Sequence, residues 1–159
     1  MKKLMALAAV AVVLGSIPVA AQQGVDSFVE LLRSDLRTQV RAIVTDAMQL
    51  PEAEEAAFWQ VYRDYETERA AIGDLRVALI KDYAKAYDTM TDETADALMK
   101  RAIEIDEKRL ALDKKYYKKF AKATSAITAA KFGQVINQVD LLVDLQIAAE
   151  MPLVERTGQ

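Results

Sequence analysis

The sequence of 159 residues contains neither cysteine nor histidine. Zinc fingers, thiol or imidazole nucleophiles, histidine-bound haem and disulfide frameworks all need one of these side chains. The five glycines form no Gly-x-x-x-x-Gly-Lys or Gly-x-Gly-x-x-Gly pattern, so no phosphate-binding loop is predicted. We therefore expect no metal, no cofactor and no catalytic residues, and we interpret the chain as a protein that is not an enzyme.

Turn-forming residues are also scarce in the middle of the chain. Between Pro51 and Pro152 there is no further proline, and the only glycines are Gly73 and Gly133. A domain built of strands needs more turn residues than this. The scarcity predicts an all-α fold.

The N-terminal segment is typical of a secretory signal peptide. Lysines at positions 2 and 3 precede an apolar run over residues 4–14, and a small-residue site ends at Ala21. A run of this length is too short to cross a bilayer as a helix, which takes roughly 20 residues. We expect cleavage after about Ala21, a periplasmic location, no stable membrane insertion and a single helical domain over residues 22–159.

The charge balance is acidic. The formal net charge is −3, and it becomes −5 if the two lysines of the signal peptide are removed. On that balance we expect no binding to nucleic acid. Five lysines do cluster near the end of the third predicted helix, at Lys114, Lys115, Lys118, Lys119 and Lys122. Lysines in this position oppose the negative end of a helix dipole, which is how we interpret the cluster, and a role in attracting acidic partners can coexist with this one.

Apolar residues recur every three or four positions in four segments, as they do on helices with one buried face. The predicted helices cover about residues 27–48, 52–88, 92–124 and 126–149. Pro51 separates the first two helices, and Thr91 is predicted to cap the start of the third.

The second and third helices are the longest, and a short turn joins them. They are predicted to form an antiparallel hairpin that folds about Met90. Folding there brings the aromatic side chains of the two arms together at the open end of the hairpin. The predicted ring cluster contains Phe58, Tyr62 and Tyr65 on one arm and Tyr116, Tyr117 and Phe120 on the other.

Charged residues interrupt the apolar seam at one level of the hairpin. Glu68 or Arg69 on one arm lies within about a turn of Arg109 on the other. We predict a Glu68 to Arg109 ion pair that fixes the register, and a solvated edge position fits the spacing equally well.

Several apolar side chains fall off the main stripes. They are Trp59, Tyr62, Ile80, Leu141, Leu145 and Ile147. A helix with two apolar faces contacts more than one neighbour. These residues are the hypothesised surface for a second copy of the chain or for a transient client, and the sequence leaves both open.

Two segments resemble helix-start motifs of the Leu-Thr-x-x-Gln kind. The first reads Leu50-Pro51-Glu52-Ala53-Glu54, and the second reads Ile127-Thr128-Ala129-Ala130-Lys131. The first lacks the threonine, and neither ends in glutamine. On these motifs, and on its exported, helical character, the chain resembles the Spy/CpxP group of periplasmic proteins. The resemblance places the motif residues Leu50, Pro51, Glu52, Ile127 and Thr128 at helix starts.

The same resemblance implies a function. It implies a chaperone-like protein that binds unfolded or stress-damaged envelope proteins without ATP, and members of the group can form antiparallel dimers. The alternative is an envelope-stress regulatory or structural adaptor that docks on a membrane sensor or another envelope protein. An adaptor should recover one dominant partner from envelope extract, whereas a chaperone should recover many.

Overall fold

The computed structural model describes residues 37–154. Within that range the chain is all-α, with no strand. The helices cover residues 37–48 (α1), Glu52–Ala86 (α2), Asp92–Ala123 (α3) and Ala126–Glu150 (α4), and a single 3-10 turn covers Tyr87–Thr89. The predicted fold class is confirmed. The predicted signal peptide, and the part of the first predicted helix before residue 37, lie outside the described residues.

The chain divides into two units between Arg41 and Ala42. The helices α2, α3 and α4 and residues 42–48 of α1 belong to the second unit. In that unit α1 buries Val44 and Met48 and ends at the latter residue. Gln49 then adopts a left-handed conformation with φ of 44°, a common way for a helix to stop.

The starts of α3 and α4 are each capped by a hydroxyl group. The Thr91 hydroxyl accepts a hydrogen bond from the Thr94 backbone N–H at 3.2 Å, as the sequence predicts. The Ser125 hydroxyl accepts one from the Thr128 N–H, also at 3.2 Å. These bonds satisfy backbone donors that the first turn of a helix leaves without a partner.

The helix α2 starts differently, since Pro51 precedes it and has no side chain that can cap. Its first turn carries Glu52, Glu54 and Glu55, whose negative charges suit the positive end of the helix dipole.

The two long helices α2 and α3 form the antiparallel hairpin that the sequence predicts. Near the turn, Arg101 of α3 contacts Asp82 of α2 at 2.8 Å. At the open end, Phe58 of α2 packs on Phe120 of α3. Residue numbers therefore fall along one arm as they rise along the other.

Helix α4 runs back along the hairpin, parallel to α2 and antiparallel to α3. Asp140 pairs with Arg69, and one turn further Asp144 pairs with Arg76. Cα atoms of α4 and α3 approach within 8 Å of one another, whereas those of α4 and α2 nowhere do. Long side chains therefore make the connection between α4 and α2.

Candidate binding surface

The open end of the hairpin is filled by aromatic rings. The ring centroids of Phe58 and Phe120 lie 4.9 Å apart, and those of Tyr65 and Tyr116 lie 5.2 Å apart. All four side chains are buried, so the predicted cluster exists. Tyr117 is the exception, because its side chain is half exposed on another face of α3. Adjacent residues on a helix do not face the same neighbour, and Tyr116 takes the inward position.

A ring from α4 completes the cluster. The centroid of Phe132 lies 4.4 Å from that of Phe120, 5.2 Å from that of Tyr65 and 5.5 Å from that of Phe58. The sequence places Phe132 on the apolar stripe of α4 but gives no sign of which helix it contacts. Because Phe132 reaches both arms, the ring cluster joins three helices.

The two motif segments meet beside the ring cluster. The Thr128 hydroxyl of the second segment donates to Glu54 Oε2 of the first at 2.6 Å. Lys131, at the end of the second segment, donates through Nζ to the Met48 carbonyl at 2.7 Å. The starts of α2 and α4 and the end of α1 are thus tied together by side chains from both motifs.

The five motif residues themselves differ in exposure. Thr128 is buried, whereas Ile127, Pro51 and Glu52 are exposed and Leu50 is half-buried. The structural role of the motifs therefore rests on Thr128, together with Glu54 and Lys131 at the fifth position of each segment.

Ion pairs bridge the three helices in the middle of the molecule. Arg69 of α2 pairs with Asp140 of α4 and donates to the Tyr65 hydroxyl at 3.0 Å. The carboxylate of Asp144 in α4 forms ion pairs with Arg76 of α2, at an N–O distance of 2.5 Å, and with Arg109 of α3, at 3.2 Å. A single carboxylate therefore links all three helices.

These contacts shift the acid-base behaviour of the carboxylates. Burial alone would raise the pKa of Asp144, but hydrogen bonds from Arg76 and Arg109 outweigh it and hold that pKa below its usual value. The pKa of Asp113 is raised, first by desolvation and then by the negative charge of Asp140. These two effects outweigh the positive charges of the nearby arginines, which lower that pKa. Asp144 is thus held in its charged form, and Asp113 is pushed towards its neutral form.

The predicted ion pair between Glu68 and Arg109 is wrong. Both carboxylate oxygens of Glu68 accept hydrogen bonds from Lys115 Nζ at 2.7 Å. One of them also accepts a hydrogen bond from the Tyr116 hydroxyl at 2.8 Å. Arg109 is instead turned towards Asp144 of α4. The hydrogen bonds from Lys115 and then Tyr116 lower the pKa of Glu68. The polar contact across the hairpin is real, but its partner lies more than one helical turn further along α3.

The predicted partner surface is divided by the structure. Tyr62 is only 2% exposed and lies within the ring cluster, so it does not form part of an open surface of a single chain. Trp59 is half-buried against Phe58 and Tyr62. Ile80 and Ile147 are also half-buried, whereas Leu141 and Leu145 are exposed on α4.

The structure contains an exposed apolar stripe on α3 that was not predicted from the sequence. It consists of Met99, Ile103, Leu110 and Tyr117, whose side chains are between 50% and 62% exposed. Their spacings of four and seven place them on one face of the helix. Charged residues lie among them, including Lys100, Asp106 and Lys114. The signal was present in the sequence as a second apolar repeat beside the buried one.

In the part of the chain that the structure describes, none of the helices combines the length and the hydrophobicity of a membrane-spanning segment. Among the same residues, no group of three or more acidic side chains is arranged to hold a metal ion. The chain matches no protein-family model, and neither curated proteins nor solved structures yield a significant match to it.

Proposed function

We propose that this is an exported protein that binds unfolded or partly folded envelope proteins without ATP, through the apolar stripe of α3, and that it works as a homodimer. The observation that supports the proposal is the exposed stripe itself, which consists of Met99, Ile103, Leu110 and Tyr117. Monomeric soluble proteins seldom align large apolar side chains on an open face unless that face meets a partner.

The stripe has the properties that a reversible holding surface needs. Each side chain is only partly exposed. Covering it with a client therefore contributes only a fraction of the roughly 1.5–3 kcal/mol that full burial of a large apolar side chain contributes. Association and ordering of the client cost several kcal/mol or more. The difference predicts weak binding, with a dissociation constant on the order of micromolar or above.

Charges beside the stripe favour acidic client segments. Within the described part of the chain, Lys114, Lys118 and Lys122 form no ion pair, and they lie one above another on α3. These lysines flank Tyr117 and follow Leu110. A client segment that combines apolar and acidic residues fits this surface better than a basic one, and it should associate faster at low salt.

An aggregation assay tests the proposal. At several-fold molar excess over an unfolded client, the wild-type protein should suppress light scattering. The triple variant Met99→Gln, Ile103→Gln, Leu110→Gln should lose most of that suppression while it keeps its helical circular dichroism. The control variant Leu75→Gln, Ile127→Gln, Leu153→Gln removes three exposed apolar side chains that share no face, and it should remain active.

Two outcomes would refute the client-binding proposal. One is the absence of any suppression by the wild-type protein. The other is equal loss of suppression in the stripe variant and the control variant, because the α3 stripe would then have no special role.

The adaptor alternative is separated by pull-down from envelope extract. Client binding predicts many captured proteins, and their number should fall in the stripe variant. One dominant partner, captured equally by the wild type and the stripe variant, would favour the adaptor.

Location is tested independently of binding. Expression of the full-length chain followed by cell fractionation should place it in the periplasm, and N-terminal sequencing should start at about Gln22. A cytoplasmic product that begins at Met1 would refute export.

A further inference from the structure

The outer face of α4 carries no charge over most of its length. Between Phe132 and Ala149 the charged residues are Asp140 and Asp144, and both are paired with arginines of the hairpin. The exposed side chains in that interval are leucines, alanines and amides. Leu141, Leu142 and Leu145 are between 59% and 67% exposed. This differs from the stripe of α3, where charges are interleaved.

The exposed residues of α4 also have the spacing of a helix-pairing seam. Gln134, Gln138, Leu141, Leu145 and Ala148 follow one another at alternating intervals of four and three. Alternation of this kind keeps one line of side chains facing a second helix, with each side chain inserted between those of its neighbour. The seam extends over about 21 Å at 1.5 Å per residue.

We propose that this face of α4 binds the same face of a second copy of the chain, with the two α4 helices antiparallel about a two-fold axis. A two-fold contact places one surface against itself, so that surface must be self-complementary. Leucines satisfy this condition by mutual burial. Amides satisfy it because each one both donates and accepts hydrogen bonds.

The charge distribution favours a second copy over other partners. Without its first 21 residues the chain has a net charge of −5, so the overall charges of two copies repel one another. The uncharged face of α4 is where they can approach without placing like charges together. An anionic membrane fits less well, because helices that bind membrane surfaces carry lysine or arginine on the flanks and α4 has none between Phe132 and Ala149.

The proposal is tested by the mass of the protein in solution. Multi-angle light scattering and sedimentation of the chain without its first 21 residues should show a dimer, with a dissociation constant of about 1–100 µM for a contact of this modest size. The variant Leu141→Glu, Leu145→Glu should be monomeric over the same range. The control Met99→Glu, Ile103→Glu makes the same change at the same spacing on α3 and should remain a dimer.

A charge-pairing experiment tests whether the face meets itself. The variant Leu141→Lys, Leu145→Lys should also be monomeric alone. Mixed in equal amounts with the Leu141→Glu, Leu145→Glu variant, it should form a one-to-one heterodimer. If the mixture stays monomeric while the wild type is dimeric, the contact is not between two copies of the same face, and the proposal fails.

Further outcomes keep the test decisive. A wild type that remains monomeric throughout would overturn the proposal, and so would a control variant that dissociates as readily as the α4 variants. Where a charged variant loses its helical signal, Leu141→Gln, Leu145→Gln should still weaken the dimer by at least tenfold. Loss of client binding in the α4 variants with no change in mass would assign this face to the client and contradict self-association. This inference rests on the homodimer of the proposed function and names its interface, whereas client binding depends on the stripe of α3 and is tested separately.

Discussion

At the scale of single residues, the end of α1 contains a position where glycine is favoured. Gln49 has a φ of 44°, in the left-handed region where a side chain beyond glycine costs energy. We expect Gln49→Gly to raise the free energy of unfolding by about 0.5–1 kcal/mol, measured by urea titration.

The control for this substitution is Gln60→Gly. Gln60 is an exposed residue inside α2, where glycine should lower stability by about 1 kcal/mol. If both variants lose stability to the same extent, Gln49 does not have the left-handed conformation described.

Two carboxylates should respond oppositely to loss of charge. The pKa of Asp144 is lowered in the folded state, so its charge stabilises the fold above the unfolded value near 4, and that contribution is lost as the pH falls through the folded pKa. The pKa of Asp113 is raised, so its charge is a net cost at neutral pH.

We expect Asp144→Asn to lower the free energy of unfolding by about 1 kcal/mol at pH 7, with a smaller difference from wild type at pH 2.5. Asp113→Asn should leave stability unchanged or raise it at pH 7. Urea titrations at both pH values measure this. A larger loss from Asp113→Asn than from Asp144→Asn at pH 7 would contradict the assigned shifts.

At the scale of helices, the ring cluster decides whether α4 packs on the hairpin. Phe132 is buried and contacts rings from both arms. We expect Phe132→Ala to lower the free energy of unfolding by about 3–5 kcal/mol, as is usual for a buried phenylalanine. Tyr117→Ala, at a half-exposed ring on α3, should cost under about 1 kcal/mol. Similar losses in the two variants would show that Phe132 does not hold α4 in place.

The sequence predicts individual helices well because their signals are local. Apolar spacing, Pro51 and the cap at Thr91 lie within a few residues of the helix ends that they determine. The hairpin also follows from sequence, since a short turn between two long helices leaves them little choice but to pack antiparallel. The pairing of Phe58 with Phe120 is a consequence of that geometry.

Contacts between helices that are distant in sequence could not be obtained in the same way. Arg109 lies at the edge of α3, and periodicity does not indicate whether it faces α2 or α4. The structure turns it to Asp144, so Glu68 pairs with Lys115 instead. The burial of Tyr62 could not be predicted for the same reason. Tyr62 lies off the main stripe of α2, and its ring is covered by Phe132 of α4.

At the scale of the whole molecule, α4 is held by two different kinds of contact. From Thr128 to Val139 it buries side chains against the hairpin, whereas from Asp140 to Glu150 none of its residues is buried. Ion pairs through Asp140 and Asp144 connect this second half to the hairpin. The side chains of these ion pairs are still 16% to 33% exposed, so the pairs contribute less to stability than apolar burial does and are partly weakened by salt.

We therefore expect amide hydrogens over residues 141–150 to exchange faster than those over residues 130–139, by about tenfold or more. The difference should grow at 1 M salt. Hydrogen exchange followed by mass spectrometry of overlapping peptides measures this, with the α2 segment around Tyr62 as the protected reference. Uniform exchange along α4 would show that its two halves open together.

Beyond α4, the chain is anchored to the far end of α2. The Tyr83 hydroxyl donates to the Pro152 carbonyl at 2.7 Å, and the Tyr87 hydroxyl donates to the Leu153 carbonyl at 3.2 Å. This anchor lies beside the hairpin turn, and α2 separates it from Phe58 by roughly 40 Å at 1.5 Å per residue. A fluorophore attached at Val154 would therefore report changes near the hairpin turn. With a second fluorophore at Gln60, the distance between the two would measure the length of α2.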